Sequence, residues 1–124
     1  MVIFDTSLLI DALRGEKVAI DVIKSYKDKE EAAITIINKY ELMKGKKFLD
    51  DNVIDLFISS LKIYYLGEEE AAEAVTIHKE LTKQGKMINE LDIFIAGTAI
   101  ANNELLVAMD RDFGNIKGLK SRII

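Results

Sequence analysis

Apolar residues along the chain follow two alternating patterns. Short runs that are apolar on both faces predict buried strands at residues 1–5, 32–36, 62–66 and 105–108. Apolar residues at helical spacing predict helices at residues 6–14, 18–26, 37–44, 50–60, 68–84 and 89–102. A closing strand at residues 121–124 is compatible with the sequence but short. The alternation of strands and helices predicts an α/β protein with a mostly parallel sheet covered by helices on both sides.

Glycines mark the ends of several of these segments. Gly15, Gly45 and Gly85 each follow a predicted helix, and Gly67 closes the third predicted strand. The chain has 124 residues, 49% hydrophobic and 31% charged, which suits one well-buried core and excludes a disordered chain. We therefore expect a single domain over residues 1–124.

Composition restricts the kinds of site that the chain can hold. There is no cysteine, which excludes disulfides and thiolate metal ligands. The only histidine, His78, lies in the middle of a predicted helix, where a structural role is a simpler interpretation than nucleophilic catalysis. The longest apolar run, residues 93–101, is too short to cross a bilayer, and the N-terminus has no basic leader. We expect a cytoplasmic protein without membrane contact.

The formal net charge of −4 neither favours nor excludes a nucleic-acid ligand. Proteins that bind nucleic acid mainly by neutralising phosphates usually carry a basic surplus. Acids that hold divalent cations reverse the sign of the local charge, so the balance is compatible with a metallonuclease. Among the basic residues near segment ends, Lys86 and Arg111 are the candidates for contacting phosphate.

Acidic residues follow two of the predicted strands. Asp5 ends the first strand, and Asp110 lies two residues beyond the strand at 105–108. In open α/β sheets, sites form at the carboxyl ends of parallel strands, so both acids are expected at one edge. Asp92 falls in the first turn of the helix at 89–102, which can face the same edge. Three carboxylates are therefore predicted to converge.

Converging carboxylates repel one another unless a cation neutralises them, and oxygen ligands of this kind suit Mg²⁺ or Mn²⁺. Such ions make phosphoryl transfer the natural reaction class. Each acid also has a structural interpretation: Asp5 as a helix cap, Asp92 as part of the N-terminal signature that begins at Asn89, and Asp110 as a turn residue. The residues alone leave both interpretations open.

Four segments, taken in order, resemble the PIN domain family, and in particular its toxin-type, VapC-like members. The resemblance covers nearly the whole chain. The segments are Ile3-Phe4-Asp5-Thr6-Ser7 with Leu8-Leu9-Ile10-Asp11; Tyr40-Glu41-Leu42 with Gly45; Gly85 leading to Asp92-Ile93-Phe94-Ile95-Ala96 with Thr98-Ala99; and Val107 to Asp110 with Asp112 and Phe113.

The resemblance implies a three-layer α/β/α sandwich with a central sheet of four to five strands. It implies an acidic pocket that binds Mg²⁺ or Mn²⁺ and is formed by Asp5, Glu41, Asp92 and Asp110. Asp112 would be an outer or alternative metal ligand, and Thr6 or Ser7 would support Asp5 by hydrogen bonding. Similar proteins often carry threonine two residues before the last acid, where this chain has Ala108. Whether Asp110 or Asp112 serves as the fourth acid therefore stays open.

The family's activity implies a hydrolase, a metal-dependent endoribonuclease that cleaves RNA phosphodiesters. The resemblance also implies a homodimer and, for a toxin-type member, a small antitoxin protein that blocks the pocket. Three alternatives share parts of this pattern. They are a PIN-like binding module without catalysis, a receiver-like signalling domain, and a flap-type DNA nuclease. The receiver would need paired acids after the first strand, and the flap nuclease would need additional helices for which this chain has no room.

Overall fold

The computed structural model describes residues 1–44 and 50–124. The strands are β1 (Val2–Phe4), β2 (Ala32–Thr35), β3 (Lys62–Tyr64), β4 (Leu105–Ala108) and β5 (Ser121–Ile123). The α-helices are α1 (Thr6–Leu13), α2 (Lys17–Lys27), α3 (Ile36–Lys44), α4 (Asp51–Ser59), α5 (Glu68–Gln84) and α6 (Glu90–Ala101). A short 3₁₀ helix spans Arg111–Asn115. The predicted helix end at Gly45 lies outside the described residues.

The five strands form one parallel sheet in the order β3-β2-β1-β4-β5. The first strand is therefore central, with Val2 paired to Ala32 on one side and to Leu105 on the other. All three residues of β1 are buried, which is why this segment is apolar without alternation. The predicted parallel sheet of four to five strands is confirmed.

Side chains of the sheet enter two separate apolar clusters. Val2 and Phe4 of β1 pack with residues of α1, α2 and α4, whereas Ile3 packs with residues of α5 and α6. Successive residues of a strand point to opposite faces, so the division follows from the pleat. Ile3 is completely buried, and shortening such a side chain to alanine costs about 2–5 kcal/mol. Helices thus cover both faces, and the three-layer α/β/α arrangement is confirmed.

Helices α5 and α6 approach each other very closely at Gly97. A Cβ atom at this position would lie 2.9 Å from the backbone nitrogen of Ala74 and 3.0 Å from the carbonyl oxygen of Glu70. Both neighbours are backbone atoms that cannot move aside without shifting α5. The small residues near this position in the sequence predict such an approach. The contact fixes α6 against α5 and, with it, the position of the first turn of α6.

The observed elements differ from the predicted ones mainly at their ends. Strand β3 stops at Tyr64 because the next two apolar residues, Tyr65 and Leu66, are exposed instead of pairing. The 3₁₀ helix after β4 is not among the predicted elements, since five residues are too few to show an apolar period. Within the two described ranges, no helix combines the length and the apolar character that crossing a membrane would need.

Candidate active site

The carboxyl edge of the sheet brings together the acids that follow β1 and β4. These strands are direct neighbours, with Phe4 paired to Val107, so Asp5 and Asp110 emerge side by side. Asp92 lies in the first turn of α6. The topology therefore places acids from distant parts of the chain at one edge, as the sequence predicts.

Asp5 is almost completely buried, at 2% exposure, and both of its oxygens are held by backbone groups. Its Oδ1 accepts a hydrogen bond from the N–H of Leu8 at 3.0 Å, which caps α1. Its Oδ2 accepts from the N–H of Met109 at 3.1 Å, just after β4. The residue is thus a helix cap and part of the acidic edge at once. Burial raises the pKa of Asp5, against the opposing effect of the backbone hydrogen bonds.

Asp92 does not cap its helix, because Asn89 does so by accepting from the N–H of Leu91 at 2.8 Å. The environment of the Asp92 carboxyl group raises its pKa to about 6. The causes, largest first, are burial and then the carboxylates of Glu41, Asp110, Asp5 and Asp112. The pKa of Asp92 is therefore affected by all of the other predicted acids. We call these five residues the acidic cluster.

Glu41 lies on α3 and is held by a hydroxyl group from α1. The Oγ1 atom of Thr6 donates a hydrogen bond to Oε1 of Glu41 at 2.7 Å. Thr6 therefore supports Glu41 and not Asp5, while Ser7 is exposed. The expectation that Thr6 supports Asp5 is wrong, because the single hydroxyl hydrogen of Thr6 is directed at Glu41. The carboxylate of Asp5 is held instead by the backbone N–H groups of Leu8 and Met109.

Asp110 and Asp112 are the exposed members of the acidic cluster. Asp110 caps the 3₁₀ helix by accepting from the N–H of Asp112 at 2.8 Å. Asp110 has the larger effect of the two on the pKa of Asp92. Ala108, where similar proteins often carry threonine, is buried in the apolar cluster between the sheet and α5 and α6. Its methyl group therefore contributes to packing on that face.

The ion pairs of the described residues lie away from the acidic cluster. None of the ion pairs in the described ranges involves these five acids. Lys86 and Arg111 are exposed, and Arg111 directly follows Asp110. His78 lies on the surface of α5 with its Nε2 3.8 Å from Glu90, and it is not among the charges that shift the pKa of Asp92.

Comparison with protein families decides what this arrangement belongs to. The PIN domain model matches residues 2–119, from β1 to just before β5. The chain belongs to the PIN domain family. Ribonuclease VapC1 of Methanocaldococcus jannaschii is 29% identical over 103 residues, which cover 82% of this chain and 70% of that protein. Ribonuclease VapC2 of Haemophilus influenzae is 33% identical over 93 residues, covering 73% of this chain and 70% of that protein.

Solved structures share the same fold as this PIN domain. The DNA-bound VapBC complex of Salmonella typhimurium contains a chain with a TM-score of 0.87 at 22% identity, covering 98% of this chain and 96% of that one. The VapBC2 complex of Rickettsia felis, bound to a promoter DNA fragment, gives 0.84 at 24% identity, covering 100% and 99%. These likenesses extend over the full sheet and its helices and show the fold.

The donor atoms of the acidic cluster in this PIN domain are all carboxylate oxygens, which suit Mg²⁺ or Mn²⁺. Across residues 1–44 and 50–124, no three His, Cys, Asp or Glu side chains are close enough together to enclose an ion. Mg²⁺ commonly binds through one or two carboxylates and keeps several waters, so an enclosing set is not required. The chemistry of the donor set fits a hydrated Mg²⁺ or Mn²⁺ ion.

Two buried polar residues beside the acids of this PIN domain are absent from the predicted site. Asn38 is completely buried and Thr35 is 1% exposed. The backbone N–H of Asn38 donates to Oγ1 of Thr35 at 3.2 Å, and the Asn38 side chain accepts from the N–H of Thr35 at 2.7 Å. This is a capping box with asparagine in the place of the usual Glu or Gln. The Thr35-Ile36-Ile37-Asn38 spacing is the sequence signal that would have identified it.

Proposed function

We propose that this PIN domain is a divalent-metal-dependent endoribonuclease that hydrolyses RNA phosphodiesters at the acidic cluster. The observation that carries the proposal is the convergence of these acids at the carboxyl edge of the sheet, where burial and then four other carboxylates raise the pKa of Asp92. Carboxylates gathered without cations lower stability unless a ligand compensates them, and strongly shifted groups concentrate at functional sites. The relatives in Methanocaldococcus jannaschii and Haemophilus influenzae bear the name ribonuclease, which supports RNA as the substrate.

A hydrated Mg²⁺ or Mn²⁺ ion would be held by Asp5, Glu41, Asp92 and Asp110, by one or two of them directly and by the others through its water molecules, with Asp112 as an outer or alternative ligand. When bound, such an ion would lower the pKa of a water molecule and stabilise negative charge on phosphate oxygens. Asp5 is suited to a fixed role, because two backbone N–H groups hold its carboxylate. Asp110 is exposed, so a substrate could reach its carboxylate.

Exposed basic side chains would contact the RNA backbone around the acids. Arg111 lies beside Asp110 at the start of the 3₁₀ helix, and Lys86 follows α5 just before the N-terminus of α6. Both are exposed, and their cationic groups suit phosphate oxygens. We assign them binding of the substrate and not chemistry.

The proposed setting is a toxin–antitoxin pair in the cytoplasm, with this PIN domain as a homodimeric toxin and a small antitoxin protein as its inhibitor. The similar structures from Salmonella typhimurium and Rickettsia felis are VapBC complexes, which supports the antitoxin. The homodimer rests on the family resemblance alone, and the cytoplasmic location rests on the expectation drawn from the sequence.

The strand order argues against the receiver-like alternative. Receiver domains have the order 2-1-3-4-5, in which the third strand lies beside the first. Here β3 is an edge strand, separated from β1 by β2. An acceptor aspartate after β3 would stand apart from Asp5, and Leu66-Gly67-Glu68 follows Tyr65 at that place. A PIN domain that binds RNA without cleaving it is the remaining alternative.

Cleavage of a long single-stranded RNA by the purified chain tests the proposal. The reaction is run with Mg²⁺, with Mn²⁺ and with excess chelator, for the wild type, Asp5→Asn and Asp92→Asn. Asp55→Asn, on the exposed side of α4, is the matched control. We expect metal-dependent cutting that disappears in the two cluster variants and persists in the control. Absence of cutting with either metal, or cutting that survives both variants, would leave the binding module as the better account.

A further inference from the structure

A chain of buried hydrogen bonds connects the end of β2 to the acidic cluster. It runs from Thr35 to Asn38 on α3, from Asn38 to Thr6 on α1, and from Thr6 to Glu41. Thr35, Asn38 and Thr6 are all buried, so water does not substitute for these partners. The chain joins three elements at the point where Glu41 reaches the acids.

The orientation of the Asn38 amide is determined by its neighbours. A backbone N–H can only donate, so the atom that receives the N–H of Thr35 at 2.7 Å must be the oxygen, Oδ1. The hydroxyl of Thr35 donates to the same oxygen at 2.9 Å. The amide nitrogen Nδ2 therefore points to the opposite side, where it donates to Oγ1 of Thr6 at 3.0 Å. A flipped amide would place two donors against each other.

The direction of the Thr6 hydroxyl follows from that of the amide. A threonine hydroxyl has a single hydrogen and two lone pairs. Because Oγ1 accepts from Nδ2 of Asn38, its hydrogen is free to point at Oε1 of Glu41, 2.7 Å away. Each hydrogen bond in the chain thus determines the sense of the next one. A carboxylate that receives such a bond is held in one position in its charged form.

We propose that Asn38 is a positioning residue for Glu41 and acts through the hydroxyl of Thr6, an inference that rests on the proposed nuclease function. Capping alone does not require asparagine, because only Oδ1 takes part in the capping box. An ionised aspartate would cap α3 equally well but has no hydrogen to donate to Thr6. The amide nitrogen is therefore the part of Asn38 that serves the site.

The first test compares Asn38→Asp and Thr6→Val with two controls. Asn38→Asp keeps the capping oxygen and replaces the donor by an acceptor, and Thr6→Val removes the hydroxyl at nearly constant volume. Thr6→Ser restores a hydroxyl. Thr98→Val removes a second buried hydroxyl, which donates a hydrogen bond to the carbonyl of Phe94 within α6.

We expect Asn38→Asp and Thr6→Val each to lower kcat for RNA cleavage about 10- to 100-fold, with KM changed less than about twofold. Mn²⁺ affinity, measured by calorimetry without RNA, should weaken in the same two variants. Thr6→Ser and Thr98→Val should stay within about threefold of the wild type in both measurements. A Thr98→Val loss as large as that of Thr6→Val would mean that any buried hydroxyl matters for stability alone, and would overturn the inference.

The double variant Thr6→Val with Asn38→Asp separates positioning from independent structural effects. If Asn38 acts only through Thr6, the double variant has the kcat of Thr6→Val alone, because the shared hydroxyl is already lost. Losses that multiply would show two separate roles and overturn the inference. If Asn38→Asp does not fold, Thr6→Val still tests the proposal, since full kcat in Thr6→Val would contradict it.

A readout without RNA or metal distinguishes failure of the inference from failure of the proposed function. In chelator at fixed pH, the ¹³C carboxyl signal of Glu41 should shift in both Thr6→Val and Asn38→Asp and stay unchanged in Thr98→Val. If the wild type never cuts RNA but these shifts are present, the proposed nuclease function is overturned and the hydrogen-bond chain is established. If the wild type cuts RNA but neither variant shows a shift, only the inference about Asn38 is overturned.

Discussion

The carboxylates at the two edges of the sheet have opposite electrostatic environments. At the amino edge, Glu104 precedes β4, accepts a hydrogen bond from the hydroxyl of Tyr64, and lies 3.1 Å from the N-terminal ammonium of Met1. At the carboxyl edge, no ion pair involves Asp5 or Asp92 within the described residues. Glu104 at the amino edge has a cationic partner, whereas the acids at the carboxyl edge have hydrogen-bond donors and repel one another.

The pKa values of neighbouring groups record this difference. Burial and the adjacent Glu104 raise the pKa of Tyr64 to about 12, so the phenol stays protonated and remains a donor to the carboxylate. Burial and four carboxylates raise the pKa of Asp92 to about 6, so its charged form is disfavoured. The amino edge is arranged for stability. The carboxyl edge gives up stability and would recover it from a bound cation.

The largest expected effect separates the two edges by activity. Asp92→Asn should lower kcat/KM for metal-dependent RNA cleavage by about 100-fold or more, equivalent to about 2.7 kcal/mol of transition-state stabilisation. Glu104→Gln, an equally conservative change at the other edge, should leave kcat/KM within about twofold, since it lies at the opposite end of the strands. Steady-state cleavage of one RNA under saturating Mg²⁺ measures both. Equal losses would show that the edges are not functionally distinct.

Addition of Mg²⁺ should stabilise the fold through the carboxyl edge. A ligand that binds only the folded state at 100 times its dissociation constant raises the free energy of unfolding by about 2.7 kcal/mol. We expect thermal unfolding of the wild type and of Glu104→Gln to shift upward with Mg²⁺, because both keep the acidic cluster. The shift should shrink strongly in Asp5→Asn. An equal shift in Asp5→Asn would place the ion elsewhere.

Removal of charge at the amino edge should destabilise the protein in the absence of metal. Glu104→Gln weakens the contact with Tyr64 at a partly buried place, and loss of a hydrogen bond to a charged group costs about 1.5–3 kcal/mol. Urea unfolding in chelator at pH 7 measures the change in the free energy of unfolding. An unchanged midpoint would mean that the contact contributes nothing net.

Stability in the absence of metal should depend on pH through Asp92. Its pKa is about 6 in the folded protein against a model value of 3.8, so the folded state binds the proton more tightly. The free energy of unfolding should therefore fall as pH rises from about 4 to about 6 and then level off for this group. Asp92→Asn should flatten this fall and raise stability at pH 7 by on the order of 1 kcal/mol, a value reduced for solvent screening. Urea titrations at several pH values measure the free energy of unfolding of both proteins. Parallel pH dependences of the wild type and Asp92→Asn would contradict the prediction.

Much of the fold follows from apolar spacing, because burial repeats along a helix or strand. The helix over Glu68–Gln84 has its predicted bounds, since three acids in its first turn and Gly85 after its last one mark both ends. The 3₁₀ helix is too short to carry such a period. Asp110 caps this helix and is also a proposed site residue, and the sequence cannot separate these two roles.

The sequence predicts the acids of the candidate site but not the hydrogen-bond partners that hold them. Convergence of Asp5 and Asp110 follows from the topology of parallel strands, and Asp92 joins them from the first turn of α6. The partner of Thr6 is 35 residues away on α3, and no local pattern states which carboxylate its hydroxyl will meet. Asn38 has a local signal as a cap, whereas its second contact depends on how α1 and α3 pack.

The central position of β1 has a consequence for synthesis on the ribosome. Strand β1 is made first, but one of its two neighbours, β4, is made about a hundred residues later. A nascent chain that has not yet released residues 105–110 lacks the N–H of Met109 that holds Asp5, and it lacks Asp110. At about 5–20 residues per second, this stage lasts several seconds. The order of strands thus keeps the growing polypeptide without a complete set of acids at this edge until residues 105–110 emerge from the exit tunnel.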